Sequence, residues 1–181
     1  MRYRRLVEPG ASYFFTLVTH ERRPLFACEA NVRRWRSAVA KVQRQRPFVI
    51  EAEVILLDHL HLLWSLPLCD GDYATRIRLI KTHFTKSLGP ADLTATSSES
   101  RLNKGERDIW QRRYWEHQIR DEQDWQVKLD YIHYNPVKHR LAVRPADWPN
   151  STFQTWVEKG LYDPWWGSDD EPPLPPWAEW D

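Results

Sequence analysis

Apolar and polar positions change period several times along this 181-residue chain. Residues 12–20 are dense in aromatic and β-branched side chains and read as a buried strand that breaks at Arg22-Arg23-Pro24. Over residues 29–46 the apolar positions Val32, Trp35, Val39 and Val42 recur at helical spacing, with arginines and a lysine on the other faces. Pro47 closes that helix. Two strands follow, 48–57 and 59–66, and a tight turn at Asp58 pairs them most simply as an antiparallel hairpin. Asp72 or Thr75 caps a second helix that carries Ile77, Ile80 and Phe84 and stops at Gly89-Pro90. Residues 90–105 are polar and aperiodic and read as a loop. A short fourth strand is expected over 114–119. A helix then opens at Asp121-Glu122-Gln123-Asp124, with acids where the helix dipole favours them, and Pro136 is expected to end it at about Asn135. The order β-α-β-β-α-β plus a helix predicts an α+β ferredoxin-like sandwich. Its four-stranded antiparallel sheet has helices on one face, and a last helix follows the fourth strand.

Composition adds a charge division. The formal net charge is +1. Residues 1–120 hold 21 Lys and Arg against 13 Asp and Glu, whereas residues 141–181 hold 2 against 8. A basic body suits a polyanion such as nucleic acid, and an acidic tail would compete for the same surface. The two cysteines, Cys28 and Cys69, make neither a disulfide framework nor a four-cysteine zinc site, which suggests a reducing, cytoplasmic setting. No apolar run is long enough for a membrane span, and the N-terminus lacks an apolar signal core. The 11 tryptophans can fill a core or stack on unpaired bases, and core packing accounts for most of them. From Trp148 onward prolines and tryptophans alternate too closely for one regular element.

Candidate chemistry sits in two stretches. In Asp58-His59-Leu60-His61-Leu62, strand alternation puts His59 and His61 on one face, roughly 7 Å apart at the backbone. That is close enough to share a metal ion: Mg²⁺ or Mn²⁺ with oxygen ligands added, or zinc. On spacing alone such a pair is more often structural. In the helix after the fourth strand, Trp125, Leu129 and Ile132 form the buried stripe. Tyr131 and Asn135, one turn apart, share a flank of it, and Tyr134 points away and reads as solvent-facing. Tyr131 is equally well a boundary-packing residue. No Walker loop, Gly-x-Gly-x-x-Gly or Gly-x-Ser-x-Gly competes.

Four blocks in order carry a resemblance. Phe14-Phe15-Thr16-Leu17-Val18-Thr19, Asp58-His59-Leu60-His61-Leu62-Leu63-Trp64, residues 109–117 from Ile-Trp-Gln to Trp-Glu-His, and Tyr131-Ile132-His133-Tyr134-Asn135-Pro136-Val137-Lys138-His139 resemble the bacterial tyrosine transposases associated with repetitive extragenic palindromes (REP). These belong among single-strand nucleases with a histidine-hydrophobe-histidine motif and one tyrosine. The resemblance covers residues 1–157, a single nuclease domain, and leaves 158–181 as an acidic Trp/Pro-rich tail. It implies a ferredoxin-like fold, a Mg²⁺ or Mn²⁺ cofactor, and cutting and rejoining of single-stranded DNA at palindromic hairpins through a 5′-phosphotyrosine. It makes His59 and His61 metal ligands and Tyr131 the nucleophile. Asn135 stands where related insertion-sequence transposases place glutamine as a third ligand. Those relatives exchange catalytic helices as dimers, and the palindrome-associated branch is monomeric, so a monomer is favoured here and a homodimer is the other possibility. A cytoplasmic, nucleoid-associated location follows.

For DNA contacts the basic arm Arg2, Arg4 and Arg5 is a candidate, as are Lys81 on a basic helix face and Arg112, Arg113, Lys138 and His139 near the proposed site. Trp115 and His117 either bind DNA beside the site or pack the fourth strand. The alternative to an enzyme is a catalytically idle binder of DNA or RNA hairpins.

Overall fold

The structure is a computed structural model that describes residues 8–89, 92, 108–168 and 172. Its centre is a four-stranded antiparallel sheet, β1 Ser12–Val18, β2 Val49–Ile55, β3 His59–Ser65 and β4 Trp115–Gln118, in the order β2-β3-β1-β4. This is the sheet order of a ferredoxin-like sandwich, and β3 is interior to it. α1 Glu29–Gln45 and α2 Tyr73–Ser87 cover one face. There Tyr13, Phe15, Leu17, Leu60, Leu62 and Trp64 from the sheet meet Val32, Trp35, Ile77, Ile80 and Phe84. Asp72 caps α2 by accepting from the Thr75 amide at 3.0 Å.

The opposite face is also covered. α3 Glu122–Lys138 and the short α4 Phe153–Glu158 lie against Phe14, Ala52, Val54, Leu56 and Leu63. The alternation read from β3 holds: Leu60, Leu62 and Trp64 face α1 and α2, while Leu63, on the parity of His59 and His61, faces α3. Asp121 caps α3 by accepting from the Asp124 amide at 2.8 Å.

Two expectations about α3 are corrected. The helix does not stop at Asn135; it carries Pro136 inside it and runs to Lys138. Proline removes the N–H that would reach the Ile132 carbonyl, yet the ladder resumes at once, with the His139 amide donating to the Asn135 oxygen at 3.0 Å. Nor is Tyr134 solvent-facing. It is 8% exposed, because the chain after α3 returns over that side and sets the Trp166 ring edge-on to it at 6.3 Å. Tyr162 and Trp166 pack with Phe153, so the packed unit continues beyond the motifs that stop near residue 157.

The same returning segment protects an edge strand. The indole N–H groups of Trp148 and Trp156 donate to the β2 carbonyls of Ile55 (2.9 Å) and Glu51 (2.8 Å), and the Thr152 amide donates to Glu53 (2.9 Å). Backbone groups that would otherwise invite a foreign strand are occupied. Cys28 and Cys69 are exposed free thiols. Among the described residues no helix is long and apolar enough to cross a membrane.

Candidate active site

Sheet register builds the site. Antiparallel partners point to the same face, and Thr16 is opposite both His61 and Trp115, so His61, Thr16 and Trp115 form one row. Leu63, Phe14 and His117 form the next row, and His59 pairs with Val18 at the strand end. All point towards α3.

The two imidazole rings stand 5.0 Å apart, nearly perpendicular at 82°. Each is held from behind. His59 Nδ1 lies 2.5 Å from the Asp58 carboxylate, and His61 Nδ1 lies 2.9 Å from the Thr16 hydroxyl. Burial pushes the Asp58 carboxyl up, but the His59 hydrogen bond and charge and the Arg22 guanidinium, 3.3 Å away, bring it below the usual carboxylate value. Ionised Asp58 only accepts, so His59 donates through Nδ1, which leaves Nε2 as the ring nitrogen that could meet a metal.

α3 lies along this pair. The Tyr131 ring is 5.1 Å from that of His61, and the ring of His139, just past the helix end, is 5.0 Å from that of His59. Asn135 is one turn from each of them. It is fully buried, and neither amide atom has a hydrogen-bond partner among the described residues. Two imidazoles with supported Nδ1 atoms and an unsatisfied buried amide fit a divalent cation, since metal-ligating histidines carry this kind of outer support. Buried polar groups are otherwise almost always paired.

Tyr131 is 1% exposed, set between the histidines and Phe14, whose ring is 6.0 Å away. Lys138 Nζ donates to the Tyr131 hydroxyl at 3.3 Å. That contact depends on the helix continuing past Pro136, as does the placement of His139. Trp115, 44% exposed, stacks on His117 at 5.7 Å and 12°, and meets Phe14 edge-on at 5.4 Å. His117 Nε2 is 2.7 Å from Asp124 Oδ2, tying β4 to the start of α3.

The other predicted DNA contacts distribute unevenly. Arg112 and Arg113 are exposed on the approach to β4. Lys81 is not brought to the histidines: it lies on α2 over the opposite face, donating to the Gln111 carbonyl at 3.1 Å and covering the Trp110 ring. Arg2, Arg4 and Arg5 lie outside the described residues. His133, inside the helix motif, has a packing role, with Nε2 at 3.0 Å from the Thr152 hydroxyl and burial pushing its imidazole down to about 3.

Sequence reasoning missed four residues that touch the site: Thr16 and Asp58 behind the imidazoles, Arg22 behind Asp58, and Lys128. Lys128 is 1% exposed on α3, with Nζ 5.2 Å from the Phe14 ring and 5.0 Å from the Trp115 ring. Its spacing held a signal, since Lys128 falls three residues before Tyr131 on the same flank as Asp124.

No family model matches the chain. It is 39% identical over 167 residues to the REP-associated tyrosine transposase of Escherichia coli K12, covering 92% of this chain and 91% of that one. A protein described in similar terms from Haemophilus influenzae is 42% identical over 165 residues, covering 91% and 92%. Among solved structures, a REP-associated tyrosine transposase bound to a REP hairpin superposes with a TM-score of 0.76 at 38% identity, over 93% of this chain and 92% of that one.

Proposed function

This chain belongs to the REP-associated tyrosine transposases, and we propose that it binds palindromic DNA hairpins and cuts and rejoins the single strand beside them, with Tyr131 as nucleophile. The observation that carries this reading is the convergence of one tyrosine, one lysine and a buttressed histidine pair at a single point of the sheet.

His59, His61 and Asn135 would hold a Mg²⁺ or Mn²⁺ ion. Such an ion, when bound, polarises the scissile phosphate and stabilises charge on the departing oxygen. The protein's own groups do the rest. Lys138 donates to the Tyr131 oxygen, orienting it and offsetting the negative charge it gains on losing its proton. That oxygen, its proton passed to water admitted with the strand, attacks phosphorus; the new O–P bond forms as the P–O3′ bond breaks, and the departing 3′-oxygen takes a proton back from water. A 3′-hydroxyl attacking the 5′-phosphotyrosine reverses the exchange, so rejoining needs no ATP. Because Tyr131 is closed off, substrate entry includes movement of the half-buried Lys138 side chain.

Trp115 and His117 offer an aromatic surface for unpaired bases, and Arg112, Arg113, His139 and the arm Arg2, Arg4 and Arg5 offer phosphate contacts. The working form this reading favours is a monomer, with a homodimer as the other possibility, acting on DNA in the cytoplasm at the nucleoid.

The test is covalent capture. Labelled hairpin DNA with a single-stranded flank is incubated with the protein and Mn²⁺, denatured, and resolved by mass. A DNA-shifted band is expected from the parent protein and lost in Tyr131→Phe and in the His59→Ala/His61→Ala double variant. A band that survives Tyr131→Phe would reject Tyr131 as nucleophile, and tight hairpin binding with no band at all would make the protein an idle binder.

A further inference from the structure

The turn between β1 and α1 is held in an unusual conformation. Glu21 and Arg22, both non-glycine, have φ of +53° and +50°, a region that side chains with a Cβ rarely adopt. Thr19 fixes the turn, its hydroxyl lying 2.8 Å from both the Arg23 and the Asp58 carbonyl oxygens. The outcome is that Arg22 sits over the β2–β3 hairpin, one guanidinium nitrogen 3.3 Å from Asp58 Oδ2, while its side chain stays 46% exposed.

Beside Arg22 a cleft of about 260 Å³ opens to the surface. Leu56, Leu57 and Leu141 give it apolar walls, Arg22 and His139 bring N–H groups to it, and Asp58 and the buried His59 also line it. It falls below the roughly 300–1,000 Å³ of ordinary small-molecule pockets, so it suits a single base-sized group and excludes a duplex. Apolar walls accept the face of a base. A guanidinium with five N–H donors can keep Asp58 and still take a phosphate oxygen.

We infer that this cleft receives one unpaired nucleotide next to the scissile phosphate, with its base between Leu57 and Leu141 and its phosphate on Arg22. The cleft thereby fixes which phosphodiester of the strand lies over the histidine pair. Arg22 acts as a positioning residue on two partners at once, the phosphate on one side and Asp58, which orients His59, on the other. This inference rests on the reading of His59, His61 and Tyr131 as the cleavage site.

Binding in EDTA tests it without turnover. The probes are a palindromic DNA hairpin with no extension and the same hairpin with four unpaired thymidines on either its 5′ or its 3′ foot. One extended hairpin should bind the parent protein at least about fivefold more tightly than the bare one. Arg22→Gln should remove most of that gain and make the slope of log K against log salt shallower by about 0.7 for that probe alone, one phosphate contact to a single strand. Leu57→Trp, which fills the cleft and leaves the Arg22 and Asp58 side chains in place, should remove the gain with no change in salt slope on the bare hairpin. An extension that adds nothing, a gain that both variants keep, or equal weakening of bare and extended probes would overturn the inference. Extension-dependent binding that both variants lose, in a protein that forms no covalent adduct, would uphold the cleft and overturn the nuclease reading instead.

Discussion

Lys128 carries an ammonium that is almost fully removed from water on the face that bears the histidines. Burial pushes its pKa down to about 8, Asp124 pulls it up, and Arg120 pushes it down. Between about pH 8 and 10.5 the unfolded chain therefore binds a proton that the folded chain lacks, and stability rises with pH across that window. Below about pH 8 both states are protonated and the cost is constant, about 1–3 kcal/mol before the contacts with the Phe14 and Trp115 rings offset part of it. Lys128→Met should then be more stable than the parent at pH 7 by about 1 kcal/mol, and the difference should vanish as pH approaches 10. Urea titrations of both proteins at pH 7, 8, 9 and 10 read this directly. A variant that is less stable at pH 7 would mean that the ring contacts outweigh the desolvation.

The elements of the site support one another across the sheet, and β1 is the clearest case. Thr16 contributes nothing recognisable to a motif of chemistry, yet its hydroxyl holds His61 Nδ1 from the neighbouring strand. Thr16→Val keeps the volume and the β-branch while deleting that bond. It should leave the fold intact and lower Mn²⁺ affinity about 10–100-fold, as loss of an outer hydrogen bond to a ligating histidine does. Isothermal titration of metal into the two proteins decides the matter, and unchanged affinity would mean that Thr16 only packs. The same contrast explains what was legible in sequence. The parity of His59 and His61 is local to one strand, and the Tyr131–Asn135 spacing is local to one helix, so both could be read directly. Thr16 required the register of a strand 45 residues away. Lys81 looked like any basic residue on a helix face, and only the layer order puts it on the far side of the sheet. Pro136 carried a strong stop signal, but burial of the helix's last turns outweighed it.

At the scale of the whole molecule, the segment after α3 was the part least legible in advance, because its rich proline content hides how it packs. It closes the β2 edge and completes the core over α3, with the Tyr162 and Trp166 rings packed 4.6 Å apart at a tilt of 47° and both set against Phe153. A chain cut after Trp156 loses both of those rings. At roughly 1.5–3 kcal/mol for each large side chain buried, that is about 3–6 kcal/mol as an upper estimate, set against a total margin of about 5–15 kcal/mol for a domain. A chain cut after Ser168 keeps both rings and removes Asp169, Asp170, Glu171, Glu179 and Asp181, five carboxylates with no compensating lysine or arginine. The two truncations should therefore separate packing from charge. The shorter chain should unfold at much lower urea than the parent. The longer should keep its midpoint and bind hairpin DNA more tightly at low salt, an advantage that shrinks as salt screens the removed charges. Urea midpoints and hairpin affinities at 50 and 300 mM salt measure both effects. If the cut after Trp156 leaves the midpoint unchanged, the aromatic return over α3 does not stabilise the domain. If the cut after Ser168 leaves affinity unchanged at both salts, the acidic tail does not compete with DNA for the basic body.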